Sequence, residues 1–424
     1  MTQPSVRPTD APVSWRGSLR IAVALYSDLD HDGRVLREAE SLVAAGHRVT
    51  VYCLSWEGGT EVPFQVVARM PSATRVVPDS ANPFHRRAAA SRIRRWRSRI
   101  VWMLDYWRNL RAWGRWVVEA AGPVDAWHAH DLPGLMAVAP RLDAGTPLVY
   151  DSHEIFLESG TAMRMPSILR RLLARYERHL VRRAAAVVTV NEAEAEEMIR
   201  RVHPRRMVVV RNCPARWTPP VPPERRIRTT IGLPDDIPLV LYHGALGPHR
   251  GLEASVAALG EPGLAEAHLA LLGFGDLAPL GIDVEDPRLG GRVHRLPAVL
   301  PGELLSWVVD ADVNVMALQR STLNHWLASP NKLWESLAAG VPVVVSDFPV
   351  MRAVVADPDG PLGATCDPDD PASIADAIRT VIDLPPADRR AMRDRCLAAA
   401  HARWNWETEV ARLLDVYAGF RPRG

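Results

Sequence analysis

The segment Ser329-Pro330-Asn331-Lys332-Leu333-Trp334-Glu335-Ser336-Leu337-Ala338-Ala339-Gly340 runs straight into the apolar Val341-Pro342-Val343-Val344-Val345. Ser329 reads as an N-cap, Pro330 suits the first helical position because its missing N–H would be an orphan there, and Gly340 supplies a left-handed stop. The pattern predicts one short helix. Its first turn leaves unpaired amide N–H groups and the positive end of a dipole, which together seat a phosphate. Lys332, Glu335 and Ser336 share one face and Leu333 and Leu337 the other. Lys332 is the only lysine in a chain with 51 lysines plus arginines, and a compact ammonium suits a point contact to a phosphate oxygen.

Upstream of this helix, Leu318 to Ala328 reads as a loop in which Asn324 and His325 offer directional bonds to sugar hydroxyls and Trp326 a flat apolar face. Ala311 to Ala317 reads as a strand before it. Further back, strand Pro238 to Tyr242 enters His243-Gly244-Ala245-Leu246-Gly247-Pro248-His249-Arg250-Gly251, ahead of a helix at Leu252 to Leu259. Glycines let a backbone approach a ligand closely, a helix N-terminus favours an anion, and Arg250 adds charge, so this loop reads as a phosphate cradle. It does not match G-x-x-x-x-G-K-[ST] and is no P-loop. Leu269 to Leu272 and Val293 to Leu296 are further strands, the latter leading to Pro297 and Ala298. Helices are expected near Ala372 to Ile382, Ala387 to Ala402 and Glu407 to Tyr417.

The first half opens with an apolar run, Leu19 to Leu25, bounded by Asp28, Asp30, Asp32 and Gly33, then a helical pattern from Arg34 to Ala45 and a strand from Arg48 to Leu54. No G-x-G-x-x-G joins strand to helix, so a dinucleotide on this helix is not expected; the acidic loop suits a polyhydroxy ligand. Strands Val124 to His130 and Pro147 to Ser152 end in the polar clusters His128-Ala129-His130-Asp131 and Asp151-Ser152-His153-Glu154, with a helix near Pro133 to Leu142 between them. In an open α/β sheet ligands gather outside the carboxyl ends of strands, so both clusters point at one cleft. A helix from Ser167 to Arg183, strand Ala185 to Val190, a helix from Glu192 and a strand at Met207 to Val210 complete a doubly wound half.

From Arg86 to Val117 an apolar stripe of Ile93, Trp96, Ile100, Met103, Trp107, Leu110, Gly114 and Val117 recurs with ten arginines and one acid, predicting a long amphipathic helix or a broken pair. One reading packs the stripe on the sheet. The sharper one lays its Arg and Trp side chains on an anionic membrane surface.

At 424 residues the chain fits two domains of about 200 residues each. A net charge of +2 implies no polyanionic partner such as nucleic acid. The four cysteines, Cys53, Cys213, Cys366 and Cys396, are widely spaced, so no zinc site or disulfide framework is expected and a reducing cytoplasm is the simplest home. Residues 1–18 read as a disordered tail without a signal peptide, and nowhere do 18 apolar residues run together as a membrane span would require. The proline-rich stretch 211–237 reads as a linker, which divides the chain into 19–210 and 238–402, with a last helix and tail over 403–424.

Asp32-Gly33-Arg34-Val35 with Glu38-Ala39, Tyr150-Asp151-Ser152-His153-Glu154, the Gly244 to Gly251 loop and Ser329 to Gly340 occur in an order that resembles the family-4 retaining glycosyltransferases of the GT-B architecture. The resemblance covers about residues 19 to 419 and implies two Rossmann-like domains facing a central cleft, with the last helix crossing back to the first domain. It implies an acceptor on the first domain and a nucleoside diphosphate sugar, UDP- or GDP-linked, on the second, with no cofactor or metal. Carried over by position, Glu335 matches a glutamate that bonds the donor ribose, Arg250 a phosphate-binding cation, and His153 a histidine on the donor sugar near the reacting carbon. Catalytic weight thus falls on His153, Lys332, Glu335 and Arg250. Gly244, Ala245, Pro297, Ala298, Asn324, Ser329, Pro330 and Asn331 complete the donor set, and Asp32, Gly33, Arg34, Asp131 and Glu154 are the acceptor-side candidates.

Two positions depart from the family. Leu327 stands where the first of two glutamates eight positions apart belongs, and Ala245 replaces an arginine. The sugar hydroxyls are then held by Asn324, His325 or backbone amides near Pro330 and Asn331, while Lys332 replaces part of the missing charge. The resemblance implies retention by front-face attack, with the departing phosphate oxygen taking the acceptor's proton. Lipid-linked sugars, growing glycans and small metabolites all suit such an acceptor site. Competing readings are a membrane-docked nucleotide-sugar-binding subunit without catalysis, and an epimerase or phosphorylase of the same architecture.

Overall fold

The computed structural model describes residues 17–30, 32–59, 61–70 and 92–422. All but the last two residues of the tail expected over 1–18, and residues 86–91 of the expected Arg/Trp helix, lie outside them. The chain forms two compact units: Met1–Thr189 with Met198–Val208 and Val410–Gly424, and Val190–Glu197 with Val209–Glu409.

The first unit is a seven-stranded sheet of β1 (Arg20–Leu25), β2 (Arg48–Cys53), β3 (Gln65–Ala68), β4 (Ala126–His130), β5 (Leu148–Asp151), β6 (Ala186–Thr189) and β7 (Met207–Val209), in the order β3-β2-β1-β4-β5-β6-β7. Pairing from β3 to β6 is parallel. Its helices are α1 (Gly33–Ala44), α2 (Arg92–Ala121), α3 (Asp131–Val138), α4 (Gly160–Met163), α5 (Ser167–Val181) and the end of α6 (Glu192–Val202). β4 and β5 are buried throughout, His128, His130 and Asp151 included, so their polar ends lie inside the unit rather than on its surface. α2 is one helix, not a broken pair, and it lies close on α3 because a Cβ at Gly114 would stand 2.2 Å from the Ala137 carbonyl oxygen.

The second unit has the parallel order β10-β9-β8-β11-β12-β13, from β8 (Leu239–Leu246), β9 (His268–Gly275), β10 (Val293–Pro297), β11 (Val313–Met316), β12 (Val343–Ser346) and β13 (Gly363–Cys366). Around it lie α7 (Arg226–Ile231), α8 (Leu252–Ala258), α9 (Leu304–Val308), α10 (Leu323–Leu327), α11 (Asn331–Ala338), α12 (Pro349–Val355), α13 (Pro371–Ile382) and α14 (Pro386–Ala402). The last helix, α15 (Trp406–Tyr417), passes from this unit to the first, where Tyr417 is buried and its hydroxyl meets His128 Nδ1 at 2.8 Å.

Three local readings are corrected. Ser329 is not the N-cap: Pro330 holds that place with extended backbone, α11 starts at Asn331, and the Ser329 hydroxyl accepts a bond from Asn191 Nδ2 at 3.2 Å. The stretch Leu318 to Ala328 is not all loop, because Thr322 accepts from the His325 N–H and starts α10. Within the proline-rich 211–237 stretch, α7 buries Ile227 and even Arg228, whose guanidinium bonds Asp312 at 2.6 Å. A buried arginine hides a core pattern that a hydrophobicity reading depends on. Gly340 does end α11 at φ +68°, with the Val341 N–H returning to the Ser336 carbonyl.

In each unit the strand order reverses between the first strand and its other neighbour, β1 beside β4 and β8 beside β11. Open α/β sheets bind ligands at the carboxyl ends of strands at such a reversal.

Candidate functional site

β8 ends at the second unit's reversal, and the loop after it bends back through Gly251, whose φ is +70° and where a Cβ would stand 1.9 Å from the Ala317 carbonyl oxygen. Only glycine fits there, so the cradle's backbone is fixed against the end of β11. α11 presents Lys332 to the same loop. Its ammonium lies 3.5 Å from the centroid of the Tyr242 ring, and a Cβ on Gly244 would be 3.6 Å from Lys332 Cε and Nζ. Burial and the charge of Arg250 hold the Lys332 ammonium well below the usual lysine range, against a smaller opposite pull from Glu335.

One turn along α11, Glu335 Oε2 meets His243 Nε2 at 3.0 Å. Asn314 Nδ2 donates to His243 Nδ1 at 2.6 Å, which leaves the ring proton on Nε2 aimed at Glu335. Burial keeps this histidine neutral by lowering its pKa, although Glu335 pulls it up. The Glu335 side chain keeps 23% exposure, so it is held from one side and open on the other. His243 and Asn314 are the neighbours of Glu335 that sequence reading misses. The signal was a buried asparagine inside the apolar strand Val313–Met316 and a histidine opening the glycine loop.

The structure brings together Gly244, Lys332, Glu335 and, through its charge, Arg250. Ala245 belongs to the same strand end, and its carbonyl accepts from the Tyr242 hydroxyl at 2.7 Å. Pro297 and Ala298 are exposed at the end of β10, where Pro297 pairs with Gly273. Asn324 is buried in α10, and His325 Nδ1 is engaged with the Gln319 carbonyl and Ser321, so His325 is committed to its own loop. Leu327 contributes its carbonyl to Asn191 Nδ2 at 2.9 Å, and Asn331 its side-chain oxygen to Asn212.

In the first unit the acceptor-side candidates divide by depth. Arg34 is buried, bonding Asp151 Oδ2 through Nη2 at 2.8 Å and Glu38 Oε1 at 3.0 Å. Burial alone would raise the Asp151 carboxyl, but Arg34 and the neighbouring histidines hold it well below the usual range; Glu38, buried beside Asp151, is pushed well above. Glu38, His128, His130 and Asp151 aim ligand atoms within 4.8 Å of one another, a set that could hold a cation. The Arg34 guanidinium already lies against both carboxylates and supplies that positive charge.

Above this layer, His153 Nε2 meets His130 Nδ1 at 2.9 Å, while its Nδ1 faces Asp131 at 3.6 Å and Asp32 at 3.9 Å. Burial lowers the pKa of His153, but Asp131, Asp151 and Asp32 more than offset it and the net direction is up. Asp131 takes the left-handed φ of +56° at the start of α3 and accepts the His153 backbone N–H at 3.1 Å. Gly33 and Glu154 are exposed at the rim. The sequence places these residues at strand ends or on the helix that follows β1; their division into a buried ion-pair layer and an outer His153-Asp131-Asp32 layer is seen only in three dimensions.

Two family models match in tandem, a glycosyl transferase 4-like domain over residues 33–213 and glycosyl transferases group 1 over residues 237–383. A D-inositol 3-phosphate glycosyltransferase of Xylanimonas cellulosilytica is 28% identical over 291 residues, and the match spans 64% of this chain and 66%, just under two thirds, of that curated relative. Among solved structures, sucrose-phosphate synthase from Thermosynechococcus elongatus superposes with a TM-score of 0.69 at 17% identity, over 94% of this chain and 98% of that one. Anabaena HepE in complex with UDP and glucose gives 0.66 at 17% identity, over 94% and 99%.

Proposed function

The chain belongs to the family-4 glycosyltransferases of the GT-B fold, and on that premise we propose that it moves a sugar from a UDP- or GDP-sugar to a hydroxyl or other nucleophilic acceptor with retention of configuration. The observation that carries the donor half is electrostatic. The Lys332 ammonium lies against Gly244 and over the Tyr242 ring, on the loop that carries Arg250, where burial and then the Arg250 charge lower its proton affinity and Glu335 offsets only part of this. Such a site favours a diphosphate, and HepE, of the same fold, was solved with UDP. In this reading Glu335, oriented by His243, bonds the donor ribose, and the two cations stabilise the nucleoside diphosphate as it leaves. His153 belongs near the reacting carbon and Asp131, Asp32 and Gly33 near the acceptor.

Calorimetry with UDP and GDP tests this. Arg250→Ala is expected to weaken the preferred nucleotide about tenfold or more, as loss of a charge-assisted bond does; unchanged affinity of both counts against the cradle. The sign of the proton linkage follows from Lys332. Its pKa is depressed in the free protein, and an arriving phosphate favours the ammonium and raises it. Binding therefore takes up a proton between those two values, and affinity falls as pH rises through that range. The binding enthalpy should vary with the ionisation enthalpy of the buffer in the wild type and not in Lys332→Met.

The membrane reading of α2 also belongs here. Val101, Leu104, Arg108, Arg111 and Arg115 are exposed and recur at steps of three and four on one helix face. No helix among the described residues is long and apolar enough to cross a membrane. Flotation with liposomes containing anionic lipid should recover the protein, and substitution of Arg108, Arg111 and Arg115 by Gln should reduce recovery; equal recovery on neutral liposomes excludes an electrostatic contact.

A further inference from the structure

Directly beside the outer acceptor-side layer the first unit contains a cavity of about 240 Å³. Leu132, Pro133 and Met136 of α3, one to five residues beyond Asp131, form one wall, and Trp102, Met103, Tyr106 and Trp107 of α2 form another. Phe156, two residues past Glu154, and Met165 close it, and Ser159 brings in a hydroxyl that is already bonded to the Phe156 carbonyl at 2.9 Å. Tyr106 ties the cavity to the site: its ring meets Tyr26, the residue after β1, edge-on at 5.8 Å and stacks on Trp102 at 5.5 Å. The lining is mostly apolar, and at Leu132 and Phe156 it follows within two residues of Asp131 and Glu154 in the chain.

We infer that this cavity takes the hydrocarbon chain of a lipid-linked acceptor whose sugar or headgroup lies at Asp131 and His153. The inference rests on the glycosyltransferase reading above and names its acceptor class. At about 30 Å³ for each water-sized group, the volume matches a chain segment of about eight methylenes. Unbranched methionines adapt to such a chain, and a lining made mostly of apolar and aromatic side chains favours a hydrocarbon over a flat polar acceptor.

The outer faces of the two helices that wall the cavity favour a lipid over a free apolar metabolite. On α5, whose Leu173 lines it, Ile168, Arg171, Leu172 and Arg175 are exposed at helical spacing, with Ile168 at 68% and Leu172 at 54% exposure. On α2 the face with Val101 and Leu104 carries Arg108, Arg111 and Arg115. Exposed apolar residues interleaved with arginines suit a layer of acyl chains beneath anionic headgroups. Both helices line the cavity and carry that pattern on exposed positions, and a free metabolite would require neither.

The test uses the full chain and n-alkyl β-glucosides from butyl to decyl, each below its micelle concentration, titrated by calorimetry. Affinity should rise about fourfold per methylene and level off near eight carbons. Ala162→Phe, which fills the cavity from a buried position, and Met103→Glu, which places a carboxylate on its half-exposed wall, should each flatten the chain-length dependence. Both should leave UDP or GDP affinity unchanged, which reports an intact second unit. Wild-type affinity independent of chain length, or the same slope in both variants, overturns the inference. A surviving slope in a protein that binds neither nucleotide would uphold the cavity and defeat the donor reading instead.

Discussion

Lys332→Ala and Glu335→Ala are each expected to reduce sugar transfer by about 10²-fold or more, the scale on which loss of one preorganised charge contact at a developing anion acts. The two should differ in kind. Lys332 lies against Gly244 and over the Tyr242 ring, where the cradle backbone approaches, so its loss should lower kcat as the leaving group goes unneutralised. Glu335 is held by His243 at 3.0 Å and aimed outward, so its loss should raise the KM for the donor more than it lowers kcat. Lys332→Arg should not restore activity, because a forked guanidinium does not fit between Tyr242 and Gly244 as a compact ammonium does. Near-normal turnover by both alanine variants, with circular dichroism unchanged, would place the donor elsewhere.

Arg34→Met is expected to destabilise the first unit by about 3–5 kcal/mol, because removing one partner of a buried pair leaves a charge uncompensated. Arg34, Glu38 and Asp151 are all at most 3% exposed, so solvent cannot take over the neutralisation. Urea unfolding followed by tryptophan fluorescence would report it, with nucleotide affinity as the control. The pH dependence has a defined sign. Asp151 titrates below its unfolded value, so its stabilisation is present above that value and is lost as pH falls through the folded one. Arg34→Met should remove that acid-side loss, and Arg34→Met with Asp151→Asn should recover part of the stability because both charges leave together. A loss below about 1 kcal/mol would show that the layer is not held by this cation.

The sequence by itself determined the architecture. Apolar runs such as Ala22 to Leu25 and Val343 to Val345 read as strands buried on both faces, and the periodic segments between them favour parallel pairing. It also located the strand-end clusters after β4, β5 and β8, because glycines, histidines and carboxylates there interrupt the hydrophobic pattern, but it passed over the strands Gln65–Ala68 and Gly363–Cys366. Local chemistry misled it most at α11 and α7. Serine propensity pointed one residue early for α11, where Pro330 is the cap and Ser329 serves Asn191 instead. Hydrophobicity passed over α7, where Arg228 is buried by a carboxylate distant in sequence.

Only the tertiary structure decided what each cluster residue does. Arg34 looks like a loop-side acceptor group in the chain, yet it lies inside beside Glu38, because Asp151, 117 residues away, takes its guanidinium. His243 and Asn314 become a pair that orients Glu335 only when β8 and β11 are neighbours. The cavity walled by α2, α3 and α5 has no sequence signature at all. Burial, ion pairing and empty volume depend on which segments meet, and a linear pattern carries the period of each segment but not its partner.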